Sequence, residues 1–155
     1  MKVSDILRVK GGTLFTTTPE ESLADAAKLM AERDIGSLVV MAHGLVVGML
    51  TFREVIQAVV RNGGSFGTTT VYRAMDSGPL TCTMETEMDE VRRMMLVDHA
   101  RYLPVLDQKV LMGVISFYDV AKSVVEAQDF ENSMLKAYIR DWPDASATEA
   151  EDVKL

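Results

Sequence analysis

Sliding the 155-residue chain along itself by 65 positions aligns residues 14–61 with 79–126 without a gap. A repeat of that size restricts the chain to architectures built from two copies of one small unit. Thr16 meets Thr81, Glu20 meets Glu85, Met30 meets Met95, Leu38 meets Leu103 and Val40 meets Val105. Further along, Gly48 meets Gly113, Phe52 meets Phe117 and Val55 meets Val120. Where the letters differ, the pattern of apolar and polar positions still agrees.

Each copy reads as strand, helix, strand, strand, helix, which predicts an α+β fold of two βαββα repeats. In the first, 14–17 is a short β-rich run, and Thr18-Pro19-Glu20-Glu21 carries the early Pro and first-turn acids of a helix start. Leu23, Ala26, Ala27, Met30 and Ala31 then fall three and four apart on one inward face, and Gly36 ends the helix. Residues 38–41 and 45–50 are near-continuous apolar strands joined at Ala42-His43-Gly44. Such strands need cover on both faces, which two copies provide for each other. From Phe52 the period is helical again, with Val55, Ile56, Val59 and Val60 on one face, until Asn62-Gly63-Gly64-Ser65 breaks the chain.

The second copy follows suit, with a helix over 87–99, a hairpin from 102–106 and 110–115, and a last helix opened by Phe117. The resulting organisation is a first repeat over 1–62 with a lead-in helix at 3–7, a linker at 63–70, and a second repeat over 71–127 with an equivalent lead-in at 71–75. A helical extension over 128–142 and an acidic tail over 143–155, expected to be disordered, complete it. The extension carries a stripe of Phe130, Met134, Leu135, Tyr138, Ile139 and Trp142 that has no counterpart in the first copy and requires its own partner.

Composition narrows the function. A net charge of −7 and a pI near 4.8 argue against nucleic acid or anionic membrane as a partner, since both need a cationic field. Charges interrupt every apolar run, no signal-peptide pattern opens the chain, and the single cysteine, Cys82, makes no internal disulfide, so a reducing cytoplasm is the expected setting. Eleven methionines suit a core that repacks slightly. His43 lies in a turn and His99 near a helix end, neither with Cys or His at ligand spacing, so neither a metal nor an enzyme is expected. Asp89, Glu90, Arg92, Arg93 and Asp98 read as a solvated helix face.

The segments Gly48-Met49-Leu50-Thr51-Phe52-Arg53-Glu54-Val55 and Gly113-Val114-Ile115-Ser116-Phe117-Tyr118-Asp119-Val120 resemble the Gly-apolar-apolar-Thr/Ser-x-x-Asp signature of cystathionine β-synthase (CBS) domains. The run from Thr16 to Leu23 and Arg101-Tyr102-Leu103-Pro104-Val105 resemble further landmarks of that family, and the likeness covers about residues 3–125. It implies a pair of repeats related by a pseudo-twofold axis, acting as a stand-alone regulatory module that binds AMP, ADP, ATP, NAD(H) or S-adenosylmethionine between them.

In physical terms, a strand glycine lets a ligand ring approach the backbone. The Thr or Ser after it caps a helix whose N-terminus favours phosphate, and the acid three residues on can accept from both ribose hydroxyls. A plain capping box explains the same spacing. The implied ligand-binding residues are Ser116, Asp119, Tyr118, Gly113 and Thr81 in one copy and Thr51, Arg53, Glu54, Gly36 and Thr16 in the other. Arg101, by resemblance, points to the phosphate. The second copy matches the signature better, because the first has Glu54 for Asp and Gly36 at the position of Arg101. The expected partners are an adenosine nucleotide, a second copy in a homodimer and an unidentified protein; the alternative is a structural, dimerising module with no small ligand.

Overall fold

The computed structural model describes residues 1–140; Trp142, the break at Pro143 and the acidic tail lie outside the described residues. In order the elements are α1 (Val3–Lys10), β1 (Thr16–Thr17), α2 (Leu23–Arg33), β2 (Ser37–Ala42), β3 (Leu45–Thr51) and α3 (Phe52–Arg61). They continue with α4 (Val71–Ala74), α5 (Met88–Asp98), β4 (Tyr102–Asp107), β5 (Val110–Ser116) and α6 (Phe117–Arg140). The chain divides into two compact units, Met1–Phe117 with both sheets and a second that begins at Tyr118 within α6. Among the described residues no helix is long and apolar enough to cross a membrane.

The repeat survives in three dimensions down to single hydrogen-bonded pairs. In the antiparallel β2–β3 ladder Val40 faces Gly48 and Ser37 faces Thr51; in β4–β5 Val105 faces Gly113 and Tyr102 faces Ser116. Both hairpins shift register just after the matching valines, Val40 and Val105. The copies part company at their first strand. β1 runs parallel to β2, with the Val39 N–H donating to the Phe15 carbonyl at 3.2 Å. The equivalent of Val39 is Pro104, which has no N–H, so the second copy keeps only a single bridge between Cys82 and Val105 where a strand was expected. Cys82 is buried there, and burial pushes its thiol up to about 11, well above the range of a reactive cysteine.

Helix boundaries follow the caps rather than the proline and glycine punctuation. α2 begins after Ser22, whose Oγ accepts from the Asp25 N–H at 3.1 Å, four residues beyond the start signal at Thr18. It ends at Asp34 in the left-handed region (φ 52), not at Gly36, and His99 closes α5 in the same way (φ 54). On α3 the inward face is set by Glu54 and Ala58, with Val55 and Val59 half-buried. The expected single face of Val55, Ile56, Val59 and Val60 therefore splits, leaving Ile56 and Val60 62% and 71% exposed.

The first repeat's core contains Leu23, Ala26, Met30, Leu38, Val40, Leu50 and Ala58, and it also contains Val71 and Ala74 from α4. The lead-in segments are thus exchanged: α4, which precedes the second repeat, packs on the first, and α1 packs on the second. Val71 donates its N–H to the Glu21 carbonyl and Val3 to that of Thr86, each at 2.9 Å. Met49 and Asp76 exchange a pair of backbone hydrogen bonds, both 2.9 Å. A Cβ on Gly48 would stand 2.7 Å from Met75 Sδ and 2.8 Å from the Asp76 carbonyl, while one on Gly113 would meet Leu7 Cδ2 at 2.9 Å. The space that the strand glycines were expected to open for a ligand ring is occupied by the exchanged lead-ins.

Gly48→Ala should cost about 1–3 kcal/mol, as overpacking does in a close-packed interior. Gly113→Ala should cost less, because its added methyl meets a flexible Leu side chain instead of backbone. Urea unfolding of the two variants beside the parent checks the order.

Candidate ligand-binding site

A cleft of about 1050 Å³ opens within the 1–117 unit where the start of α3 faces the connection between α5 and β4. The first repeat contributes Thr51, Phe52, Arg53, Glu54 and Gln57; Asp98, His99, Arg101 and Tyr102 come from the second, with Phe117 from the end of its hairpin. Pro79 and Leu80 line it as well. Leu80 is the equivalent of Phe15, whose carbonyl accepts from Val39 in the first copy.

Thr51 is positioned by the β3–α3 junction and closed on its own helix. Its hydroxyl donates to Glu54 Oε1 at 2.7 Å and its backbone N–H to the same oxygen at 3.1 Å, a capping box in which the buried carboxylate turns back toward the strand. In the first copy, then, the structural role of the Thr-x-x-Glu spacing is directly visible. Arg53 projects across the seam and donates from Nη2 to the His99 carbonyl at 2.7 Å. That carbonyl belongs to the left-handed residue ending α5, where a helix leaves acceptors without internal partners. Arg53 therefore ties the two repeats together through a charge-assisted bond on an exposed side chain.

Gly36 does not contact the cleft directly but makes room for an aromatic wall. A Cβ at Gly36 would fall 1.8 Å from the Tyr102 hydroxyl and 3.4 Å from Phe52 Cε2, so the phenol of the second repeat lies over the first repeat's backbone. Burial holds the Tyr102 hydroxyl above its usual range, with the Arg101 charge pulling the other way, and it remains a protonated donor at neutral pH.

The cleft gathers Thr51, Arg53, Glu54 and Arg101 among the residues singled out from sequence, with Gly36 beneath its aromatic wall. Thr16 sits in β1 opposite Val39, Thr81 is exposed beside the Cys82 bridge, and Gly113 is buried under Leu7; none of these lines the cleft. Ser116 ends β5, and Tyr118 and Asp119 stand in the first turn of α6; these three are not among the cleft's lining residues either. Tyr102 and Phe52 were not singled out. The signal was present: Gly36-Ser37 in one copy against Arg101-Tyr102 in the other is a small pair facing a large one, but only the Arg was read.

Fold and cleft together define a paired-repeat module with a ligand-sized seam lined by two guanidinium groups, a helix N-terminus and aromatic rings. The CBS domain model matches residues 3–61 and 71–126, and the chain belongs to the CBS-domain family. A CBS-domain protein from Agrobacterium tumefaciens is 31% identical, with a TM-score of 0.76, covering 79% of this chain and 98% of its own. The CBS domain-containing protein CBSX3, mitochondrial, of Arabidopsis thaliana is 29% identical over 147 residues, 89% of this chain and 71% of the relative. At 22% identity and a TM-score of 0.67, the structure of CBSX2 in complex with AMP shares the fold over 82% of this chain and 98% of that one.

Replacing Glu54 by Ala should destabilise the fold by about 1 kcal/mol through loss of the capping box, with or without nucleotide present. Thermal unfolding in the two conditions tests it; a loss seen only with ligand would assign Glu54 to the ligand instead.

Proposed function

We propose that this protein is a regulatory sensor of an adenosine nucleotide, bound at the seam between its two repeats. The observation that carries the reading is the cross-repeat cleft itself, with Arg53 and Arg101 beside the N-terminus of α3. Two guanidinium ions beside a helix N-terminus are the recognition chemistry of a phosphate. Phe52, Tyr102 and Phe117 offer faces against which a purine can pack. The CBS-pair structure holding AMP supports the same class of ligand.

The arrangement also supplies a way to transmit occupancy. A phosphate at the α3 N-terminus competes with the His99 carbonyl for Arg53, so binding would exchange the strut between repeats for a contact with ligand. The seam would then lose one charge-assisted bond made by an exposed side chain. That difference would be read by a protein partner.

Ser116 and Asp119 carry the better match to the family signature, and on that resemblance we assign them the preferred ligand contacts; neither is among the residues that line the cleft. The purely structural reading draws on one observation, the closure of Thr51 on Glu54, which uses the first copy's hydroxyl internally.

Thermal shift with AMP, ADP, ATP, NAD(H) and S-adenosylmethionine separates the readings. A true ligand at a hundredfold its Kd adds about 2.7 kcal/mol of stability by linkage, and no shift with any of them leaves the structural module. Arg101→Ala should weaken AMP far more than adenosine in calorimetry, whereas equal losses would remove Arg101 from the phosphate. Asp119→Ala should cost about 1–3 kcal/mol of nucleotide binding, the usual range for a charge-assisted hydrogen bond. If only a change at Glu54 matters, the preferred site is the first copy's.

A further inference from the structure

The cleft between the repeats is roomy. Its volume of about 1050 Å³ stands at the upper end for small-molecule sites, so size alone does not choose between a nucleoside and its mono-, di- or triphosphate. The choice falls to charge. Among the described residues that line the cleft, Arg53 and Arg101 are the only Arg or Lys side chains, and they share it with three carboxylates, Glu54, Asp76 and Asp98.

Each carboxylate is set in place by a different element. Glu54 lies buried in the first turn of α3 and accepts from the Thr51 N–H, so negative charge already stands at the helix end that attracts a phosphate. Asp76 is fixed by its paired backbone bonds to Met49, and its Oδ1 accepts from the Gly78 N–H at 3.0 Å, which holds the carboxylate on the turn that lines the cleft. Asp98 ends α5, immediately before the residue whose carbonyl receives Arg53. It is exposed, and Arg92 and Arg93 of the same helix are bonded to Asp89 and Glu90 rather than to it.

We propose that the seam selects adenosine ligands of low negative charge, monophosphate or less, and discriminates against di- and triphosphates, with Asp76 and Asp98 as the residues that set the limit. The selectivity rests on the seam being the nucleotide site. One phosphate monoester carries about two negative charges at neutral pH, and two guanidinium groups match it. Each further phosphate adds negative charge with no third guanidinium or ammonium on the lining to meet it and two carboxylates to oppose it. The net charge of −7 over the whole chain adds to that repulsion.

Calorimetric titration of the full-length protein with adenosine, AMP, ADP and ATP tests the selectivity, in EDTA so that no divalent cation masks the phosphates. AMP should bind about tenfold more tightly than ATP, the difference expected from a few like-charge pairs near a protein surface. Asp98→Asn should narrow the AMP-to-ATP ratio about threefold, and Asp98→Asn combined with Asp76→Asn should narrow it further. Both changes keep side-chain size, Asn at 76 can still accept from Gly78, and unchanged circular dichroism checks that the variants fold. ATP binding as tightly as AMP, or a ratio unmoved in the Asn variants, would overturn the proposal while leaving the seam a nucleotide site. No binding of any of the four would overturn the seam as an adenosine site and the selectivity with it.

Discussion

Met49 and Asp76 bond to each other through both backbone groups at 2.9 Å, and this crossing holds the lead-in of one repeat on the sheet of the other. Much of the arrangement depends on it. The crossing admits no side chain at Gly48, and the related contact of Leu7 leaves little room for one at Gly113. It brings Val71 and Ala74 into the core of a repeat to which they do not belong in sequence order. It also closes the approach over the strand glycines, so the open space left for a ligand lies at the strand ends, where α3 begins and Arg53 crosses to His99.

The two hairpins and the long helices were readable because periodicity and repetition gave the same answer twice. A near-continuous apolar run such as Leu38-Val39-Val40-Met41 has few alternatives to a strand covered on both faces, and its match to Leu103-Pro104-Val105-Leu106 fixed the register of both copies. The exchange of lead-ins was not readable. Val3 and Val71 are apolar residues in short helices, and nothing in their local pattern says which sheet covers them, because that choice is made by hydrogen bonds to Thr86 and Glu21 far along the chain. The end of α2 was misplaced for a related reason: Gly36 attracts attention as a breaker, yet Asp34 accepts the left-handed conformation and Gly36 serves to admit the Tyr102 ring. Of the site, Thr51, Arg53, Glu54 and Arg101 were legible from signature and offset, whereas Tyr102 and Phe52 depend on one repeat reaching over the other.

The copies keep Phe52 and Phe117 alike at the cleft and differ at other positions of the seam. Leu38, Val40 and Met30 keep their identities in the second copy. At the seam, Gly36 answers Arg101 and Ser37 answers Tyr102. Packing constrains volume and so preserves like residues in both cores; a seam between two related surfaces gains by difference, since a ring from one side needs a gap on the other. The pseudo-symmetry that builds the fold is thus broken at the place where a small molecule would have to be held in one orientation.

The exchange of lead-ins gives the linker at 63–70 an unusual standing. Were the chain opened there, the first fragment would carry α1, the cover of the second sheet, and the second fragment would carry α4, the cover of the first. Neither piece could complete its own core, yet each holds what the other lacks. The halves that look like independent domains in sequence are complementary fragments of a single folding unit, and the peptide bonds joining them matter less than the surfaces they have traded.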